Sequence, residues 1–328
     1  VNDCKVKTQG NFVMAAIRVV HLADGALSGA PHRLAEVQRL GGLAARLIGC
    51  EHAFGRRVYG RDVIAEESPE LVAELLAAAD VVHFHNWWRE SSLFELYPWA
   101  WEIVRGKPAV IQFHSPRFAQ FEPALADPSL TKLIVAQYQV RLYPECIPVP
   151  NAVPIDDPLH RPLWRDNEPP VVAYTPPQCE DTSGWGNKGA VETLPVLAGF
   201  RHRFIVDSPW ADAMRLRQEC DIAIDEVVTG SYHLCSLEAL SQGLATVAGL
   251  DARTVDALEA VTGTREHPWI VATPETLRAR LTELTADAGF RRAKRQEARR
   301  YMERFWNAAA VTGRFRAIYE AALEGRTP

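Results

Sequence analysis

The sequence predicts an α/β protein built from two parallel-sheet halves that face a central cleft. Three observations carry this expectation. Apolar runs of strand length alternate with amphipathic stretches, polar residues gather where those runs end, and a proline-dense segment divides the chain near its middle. At 328 residues the chain accommodates two domains of ordinary size.

Taken in order, residues 1–13 (VNDCKVKTQGNFV) are polar, lack the apolar core of a signal peptide, and read as a loose tail. Ile17–Leu22 reads as the first strand. A loop through Gly25, Ser28 and Gly29 follows, then an amphipathic helix from about His32 to Ile48. Asp80 precedes a strand whose polar end holds His83, His85 and Asn86. Ala109–Phe113 is a strand ending at His114-Ser115-Pro116, and Cys146–Val149 is closed by Pro150-Asn151. Residues 14–155 therefore read as one Rossmann-like half. Ligands of such sheets bind beyond the strand C-termini, where these polar residues fall.

Across residues 156–170, Pro158, Pro162, Pro169 and Pro170 exclude a helix or a central strand and mark a linker. The second Rossmann-like half, residues 171–305, opens on the strand Val171–Tyr174. Further strands are expected near Phe204–Val206, Ile222–Ile224, Ala245–Ala248 and Trp269–Val271. Phe290–Phe305 carries basic residues on several faces, which suits a solvated helix or a contact with an anionic acceptor.

The 47% hydrophobic and 23% charged content is that of a soluble globular protein. A net charge of −5 gives no support for a globally basic nucleic-acid binder and leaves room only for a local basic groove. The six cysteines (Cys4, Cys50, Cys146, Cys179, Cys220, Cys235) contain no C-x-x-C pair, which argues against a zinc site and for reduced thiols in the cytoplasm. No apolar run is long enough to predict a membrane span.

The most informative stretch runs from Cys220 to Gly249. A short strand, Ile222–Ile224, is followed by a loop around Gly230, a helix carrying Glu238, and Gly243 before a second apolar strand. A strand, a glycine-bearing loop and a helix N-terminus form an anion site, because free backbone N–H groups point at the ligand. A carboxylate in the same helix can accept hydrogen bonds from a hydroxyl pair. Together these features point to a nucleotide-sugar pocket.

The segment Gly230–Gly243 (GSYHLCSLEALSQG) resembles the donor-binding segment of retaining glycosyltransferases of the GT-B fold, in particular their family 4. In one departure, the first of the family's two glutamates falls on Gly230, while the second falls on Glu238. The resemblance runs from Ile17 to about Tyr319. It is strongest from Asp221 to Ala248 and moderate at Asn187-Lys188-Gly189 and Pro150–Val153. It implies two Rossmann-like domains and transfer of a sugar from a nucleoside-diphosphate sugar, with no metal and no further cofactor. It also implies that residues 306–328 form a closing helix that crosses back to the first domain.

By the same resemblance, Lys188 would reach the diphosphate oxygens as a point charge. As a plain surface lysine it would instead sit at a helix start, where the dipole mildly disfavours a cation. The preceding YTPPQCEDTSGWG holds no arginine, so Lys188 acts alone or another basic residue arrives from elsewhere. Glu238 would accept hydrogen bonds from ribose hydroxyls, or else form a structural pair. Ser236 and Leu237 would offer N–H groups to phosphate. Thr229, Ser231 or His233 would stand in for the carboxylate missing at Gly230, or the pocket would take a different sugar.

His114 would face the donor sugar, donating a hydrogen bond and orienting the reacting carbon while the leaving phosphate takes the acceptor proton; otherwise it caps a strand end. Gly29, with Ser28, resembles the glycine loop that lets the first domain approach the donor phosphates.

His83 and His85 share one strand face, but no third ligand stands beside them in sequence, so no metal is expected. With Asn86, Trp87 and Arg89 they would line the acceptor cleft or close a core strand. Trp87, Trp88, Tyr97, Trp99 and Trp101 can stack on sugars or bases, or form one buried helix face. The acceptor stays open among saccharides, lipids, small molecules, proteins and modified nucleobases. A DNA acceptor would require a basic, aromatic groove around Trp87–Arg89 and Arg117. Two other readings of the fold are a sugar-nucleotide epimerase and a nucleotide-sugar binding protein without turnover; only the vacancy at Gly230 favours the latter.

Overall fold

The computed structural model describes residues 16–50, 60–176 and 188–326. The polar N-terminal tail lies outside the described residues.

Seven parallel strands form the first sheet: β1 (Arg18–Ala23), β2 (Ala44–Gly49), β3 (Val63–Ile64), β4 (Val81–His85), β5 (Ala109–Phe113), β6 (Leu130–Val135) and β7 (Ile147–Val149). Their order is β3-β2-β1-β4-β5-β6-β7. Helices cover both faces, which is why the strands read as near-continuous apolar runs. These helices are α1 (Ala30–Leu40), α2 (Pro69–Ala78), α3 (Ser92–Leu96), α4 (Pro98–Val104) and α5 (Glu122–Ala126). The order reverses direction between β1 and β4, which opens a crevice beyond Ala23 and His85.

The second sheet has five parallel strands: β8 (Val172–Tyr174), β9 (His202–Phe204), β10 (Ile222–Ile224), β11 (Ala245–Ala248) and β12 (Ile270–Val271), in the order β12-β11-β10-β8-β9. Between them run α6 (Ala190–Leu197), α7 (Trp210–Gln218), α8 (Leu234–Ser241) and α9 (Ala252–Thr262). Three helices end the chain: α10 (Leu277–Ala286), α11 (Ala288–Phe305) and α12 (Ala308–Leu323). Helix α12 packs on α1, β4 and β5 of the first half. One apolar cluster joins the halves, with Val19, Leu34 and Val110 packed in the same core as Tyr232, Trp269, Trp306 and Phe315.

Several elements differ from the sequence expectation. The helix expected to run to Ile48 stops at Leu40, because Gly41 closes it and Gly42 turns the chain at φ +86°; the apolar residues beyond belong to β2. The basic helix α11 is not solvated throughout. Arg291 and Arg295 are buried, and Arg295 binds Asp166 of the linker and the Gly243 carbonyl. Arg299 donates to the carbonyls of Ile155, His160 and Ser241. Arg295 and Arg299, with Arg292 paired to Asp166, thus fasten the linker to the second half. Among the described residues, no helix is long and apolar enough to cross a membrane.

Candidate active site

A cleft of about 1030 Å³ opens where the C-terminal ends of both sheets meet. From the first half it is lined by Leu27, Ser28, Ala30, His114, Val135, Gln137, Gln139 and Asn151. From the second half come Thr175, Lys188, Asp207, Trp210, Arg217, His233, Leu234 and Cys235, among others.

The loop after β1 enters α1 through Ser28 (φ +53°) and Gly29 (φ +78°). The left-handed turn at Gly29 suits a residue without a Cβ, and it brings Ser28 and Ala30 to the cleft wall. Behind this turn the Arg33 guanidinium is almost wholly buried. It holds the loop by donating to the Ser28 carbonyl (2.7 Å) and the Ala152 carbonyl (3.3 Å).

His114 leaves β5 at the cleft wall. Its backbone N–H donates to Asn86 Oδ1 (2.7 Å), and Asn86 Nδ2 donates to Ser115 Oγ (2.8 Å), so Asn86, itself at φ +64°, shapes the turn that carries His114. The His114 ring turns inward, with Nε2 2.9 Å from His85 Nδ1. His85 and His83 are fully buried and form no part of the cleft surface. Register places His21 beside His83 across β1 and β4, and His85 Nε2 lies 3.0 Å from His21 Nδ1. Burial pushes the His21 imidazole down to about 4 and His114 to about 3; the charge of Arg33 lowers His114 further. His83 and His85 are held well below the usual range, again mainly by burial. All four are neutral at ordinary pH.

The nitrogens of His21, His83 and His85 lie within 4.8 Å of one another, so three imidazoles could converge on a metal. Sequence spacing missed this grouping because His21 comes from another strand. Two of those nitrogens are already turned on each other in the His21–His85 hydrogen bond.

Trp87 and Arg89 do not reach the cleft. Trp87 packs edge-on against Phe121, and Arg89 lies over the Trp88 and Trp101 rings, 3.7 Å from Asp127. Trp87, Trp88, Tyr97 and Trp101 belong to the outer core of the first half, while Trp99 is exposed and stacks on Tyr97. Arg117 binds Glu122 and Glu145, so both arginines named for a basic groove are paired with carboxylates.

On the opposite wall, Lys188 stands just before Gly189, the residue that caps α6. Its charge acts on Asp225. Burial works to raise the Asp225 carboxyl, but His233, the Cys235 thiol and Lys188 outweigh it and hold the group below the usual carboxylate range. Asp225 accepts from the His233 N–H (2.5 Å), fixing the entry to α8. The N–H groups of Ser236 and Leu237 are spent on the His233 carbonyl, and Ser236 Oγ accepts from Trp269 Nε1. The first-turn residues that face the cleft are therefore Leu234 and Cys235, not Ser236 and Leu237.

Glu238 lies behind the wall. Its two oxygens accept from Trp210 Nε1 and Arg217 Nη1, each at 2.8 Å, and both donors line the cleft. Burial works to raise this carboxyl, but Arg217, Arg33, His160 and Trp210 hold it down. A second cation on the wall that holds Lys188 is Arg217, which α7 brings to the cleft. Its i, i+3 companion Met214 gave no pointer to a site; only the long-range pairing with Glu238 does.

The loop at Thr229 and Gly230 is also organised internally. Glu226 accepts from the N–H groups of Val228, Thr229 and Ser231 and from the Thr229 hydroxyl, so those donors are occupied by a carboxylate of the chain itself. Gly230 is at φ +73°, and a Cβ there would stand 3.1 Å from the Asp251 carboxyl group. Asp251 is ion-paired with Arg141 of the first half (2.6 Å), and Arg141 and Thr254 also donate to the Gly230 carbonyl. The position that resembles a missing glutamate is thus the seat of a clasp between the halves.

The sequence matches no family profile and no curated protein. Solved structures do match along almost the whole chain. A glycosyltransferase from Rickettsia africae superposes with a TM-score of 0.57 at 12% identity, covering 95% of this chain and 100% of that one. Anabaena HepE, in complex with UDP and glucose, gives 0.58 at 14% identity over 93% and 100%. Sucrose-phosphate synthase from Thermosynechococcus elongatus gives 0.52 at 12% over 94% and 99%. The chain has the GT-B glycosyltransferase fold. In this chain Lys188, Arg217 and the start of α8 face His114 across the cleft between the two sheets.

Proposed function

We propose that this GT-B protein is a retaining glycosyltransferase that moves a sugar from a nucleoside-diphosphate sugar to an acceptor hydroxyl. The observation that carries this reading is the polarity of the cleft: two cations and a helix start on one wall, a neutral imidazole on the other. Lys188 and Arg217 would take the diphosphate, with Leu234 and Cys235 adding the positive end of α8. The charge that grows on the leaving phosphate as the sugar–phosphate bond breaks would be met by these preplaced groups. Anabaena HepE has been crystallised with UDP-glucose, which supports a donor of this chemical class.

The sugar would lie toward His114. Just beneath the wall at that end are buried amide atoms with no partner among the described residues, Gln137 Nε2, Gln139 Oε1 and Asn151 Oδ1, an environment suited to a polyhydroxylated ligand. An imidazole held near 3 accepts a hydrogen bond but takes a proton poorly near neutral pH. That favours a reaction in which the departing phosphate, not a side chain, receives the acceptor proton. Glu238 would act indirectly, by holding Arg217 and Trp210 in place.

A thermal-shift screen over nucleotide sugars, followed by an assay for released nucleoside diphosphate, tests the reading. Stabilisation by one donor with diphosphate release is expected. Recovery of an epimerised donor, or binding without release, would replace transfer by another activity of the cleft.

A further inference from the structure

The imidazoles behind His114 form a continuous chain with a direction. Tyr319 of α12 places its hydroxyl 2.7 Å from His83 Nδ1 and 2.8 Å from Gln38 Nε2. Gln38 Oε1 lies 2.9 Å from His21 Nε2, His21 Nδ1 lies 3.0 Å from His85 Nε2, and His85 Nδ1 lies 2.9 Å from His114 Nε2. Every link is of hydrogen-bond length, and each neutral imidazole has one N–H and one lone pair. Choosing the direction at Gln38 therefore fixes His21, His85 and His114 beyond it.

The Gln38 amide chooses it. Its nitrogen donates to the Tyr319 hydroxyl, which turns Gln38 Oε1 toward His21. The hydroxyl, accepting from Gln38, has its own hydrogen to donate to His83 Nδ1. His21 donates from Nε2 and accepts at Nδ1; His85 donates from Nε2 and accepts at Nδ1; His114 donates from Nε2. The reverse direction would need the Gln38 amide turned over, with its oxygen toward Tyr319 and its nitrogen toward His21.

We propose that Tyr319, Gln38, His21 and His85 act as a polarised relay that holds His114 in its Nε2–H tautomer, so that its Nδ1 lone pair accepts a hydroxyl hydrogen of the sugar in the cleft. Among the described residues Nδ1 of His114 has no hydrogen-bond partner, and His114 lines the cleft. The inference rests on the nucleotide-sugar reading above and reverses one detail of the sequence expectation, in which His114 donates. An acceptor nitrogen is mismatched to phosphate oxygens and matched to a hydroxyl, so the relay would direct the sugar, not the diphosphate, to this wall. Gln38, His21 and His85 are positioning residues, and α12 joins the relay only because it returns to the first half.

The relay predicts a spectroscopic signature in the ligand-free protein. Long-range proton–nitrogen spectra of protein labelled with 15N-histidine, assigned with single-histidine variants, should show His21, His85 and His114 protonated at Nε2 at neutral pH. A proton on His114 Nδ1 would overturn the proposal. So would a stoichiometric transition metal in the purified protein bound through His21 and His85. In the Gln38→Leu and Tyr319→Phe variants the His114 tautomers should mix. UDP-glucose affinity should then fall about fivefold, the loss of one neutral hydrogen bond, while UDP affinity is unchanged. An equal fall for both ligands would assign these residues a purely structural role. If the wild-type protein binds neither UDP nor any nucleotide sugar, the functional reading fails, whereas the tautomer measurement, made without ligand, judges the relay by itself.

Discussion

On the first-half wall of the cleft, three buried imidazoles and the half-buried His114 lie in a chain with an amide and a phenol, and desolvation keeps them neutral. On the facing wall, Arg217 and Glu238 keep each other charged, and Lys188 helps to hold Asp225 ionised. Both walls bury polarity, but they do it with different chemistry. Neutral groups in a chain carry direction, a sequence of donors and acceptors, without fixed charge. Opposed ions carry charge and tolerate burial only while the partner is present. A ligand with a charged end and a hydroxyl-rich end suits such a pair of walls.

The largest effect that would break this contrast is expected from pH. The folded-state pKa values of His21, His83, His85, His114 and His160 are all depressed, to about 4 for His21 and His160 and about 3 for His114, mainly by burial. In the unfolded chain they return to an ordinary value of about 6.5. As pH falls below that value the unfolded state binds protons that the folded state refuses, so stability present above pH ~6.5 is lost on the way down to the folded values. Urea midpoints should drop steeply between about pH 6.5 and 4.5, before most carboxylates titrate. A flat profile would mean that the imidazoles are charged or solvated in the fold.

Glu238→Ala tests the charged wall. It leaves Arg217 buried and unpaired, and urea unfolding should register a loss of about 3–5 kcal/mol. A loss below about 1 kcal/mol, the range of exposed pairs, would mean that the pair is solvated. Lys188→Ala, by contrast, should leave the melting temperature nearly unchanged. Calorimetric titration should show UDP-glucose binding weakened by about 1.5–3 kcal/mol, the range of a hydrogen bond to a charged group. Unaltered affinity would remove Lys188 from the donor site.

The smallest effect sharpens the boundary between the walls. Gly230→Ala forces a side chain into the left-handed region beside Asp251 and should cost about 1–2 kcal/mol. Gly230→Glu should be worse tolerated and should not improve donor affinity. A gain in affinity would mean that the position remains a carboxylate subsite.

How much of this was legible in the sequence depends on the range of the interaction. The strands around Ile222–Ile224 and Ala245–Ala248, the glycine turn at Gly29 and the cleft position of His114 follow from local signals: apolar runs, a residue free to take positive φ, polar residues at strand ends; Lys188 was placed by family resemblance alone. The expected helix to Ile48 failed because apolar residues after Gly41 suit either period, and strand pairing with β1 decided between them. His83 and His85 looked like cleft residues by spacing, yet the neighbouring His21 and the returning Tyr319 enclose them. Nothing at Arg33, Arg141 or Arg217 stands out along the chain, because their partners are distant in sequence.

The sequence by itself determined the two α/β halves, the linker between them and the strand, glycine loop and helix around Glu238. These depend on periodicity and on backbone preferences, which act between near neighbours. Only the tertiary structure decided that Glu238 holds Arg217 from behind, that Gly230 sits in a clasp with Arg141 and Asp251, and that four histidines share one hydrogen-bond chain. Each of those depends on the desolvation of polar groups by elements far apart in the chain, and desolvation exists only once the halves and the last helix have packed.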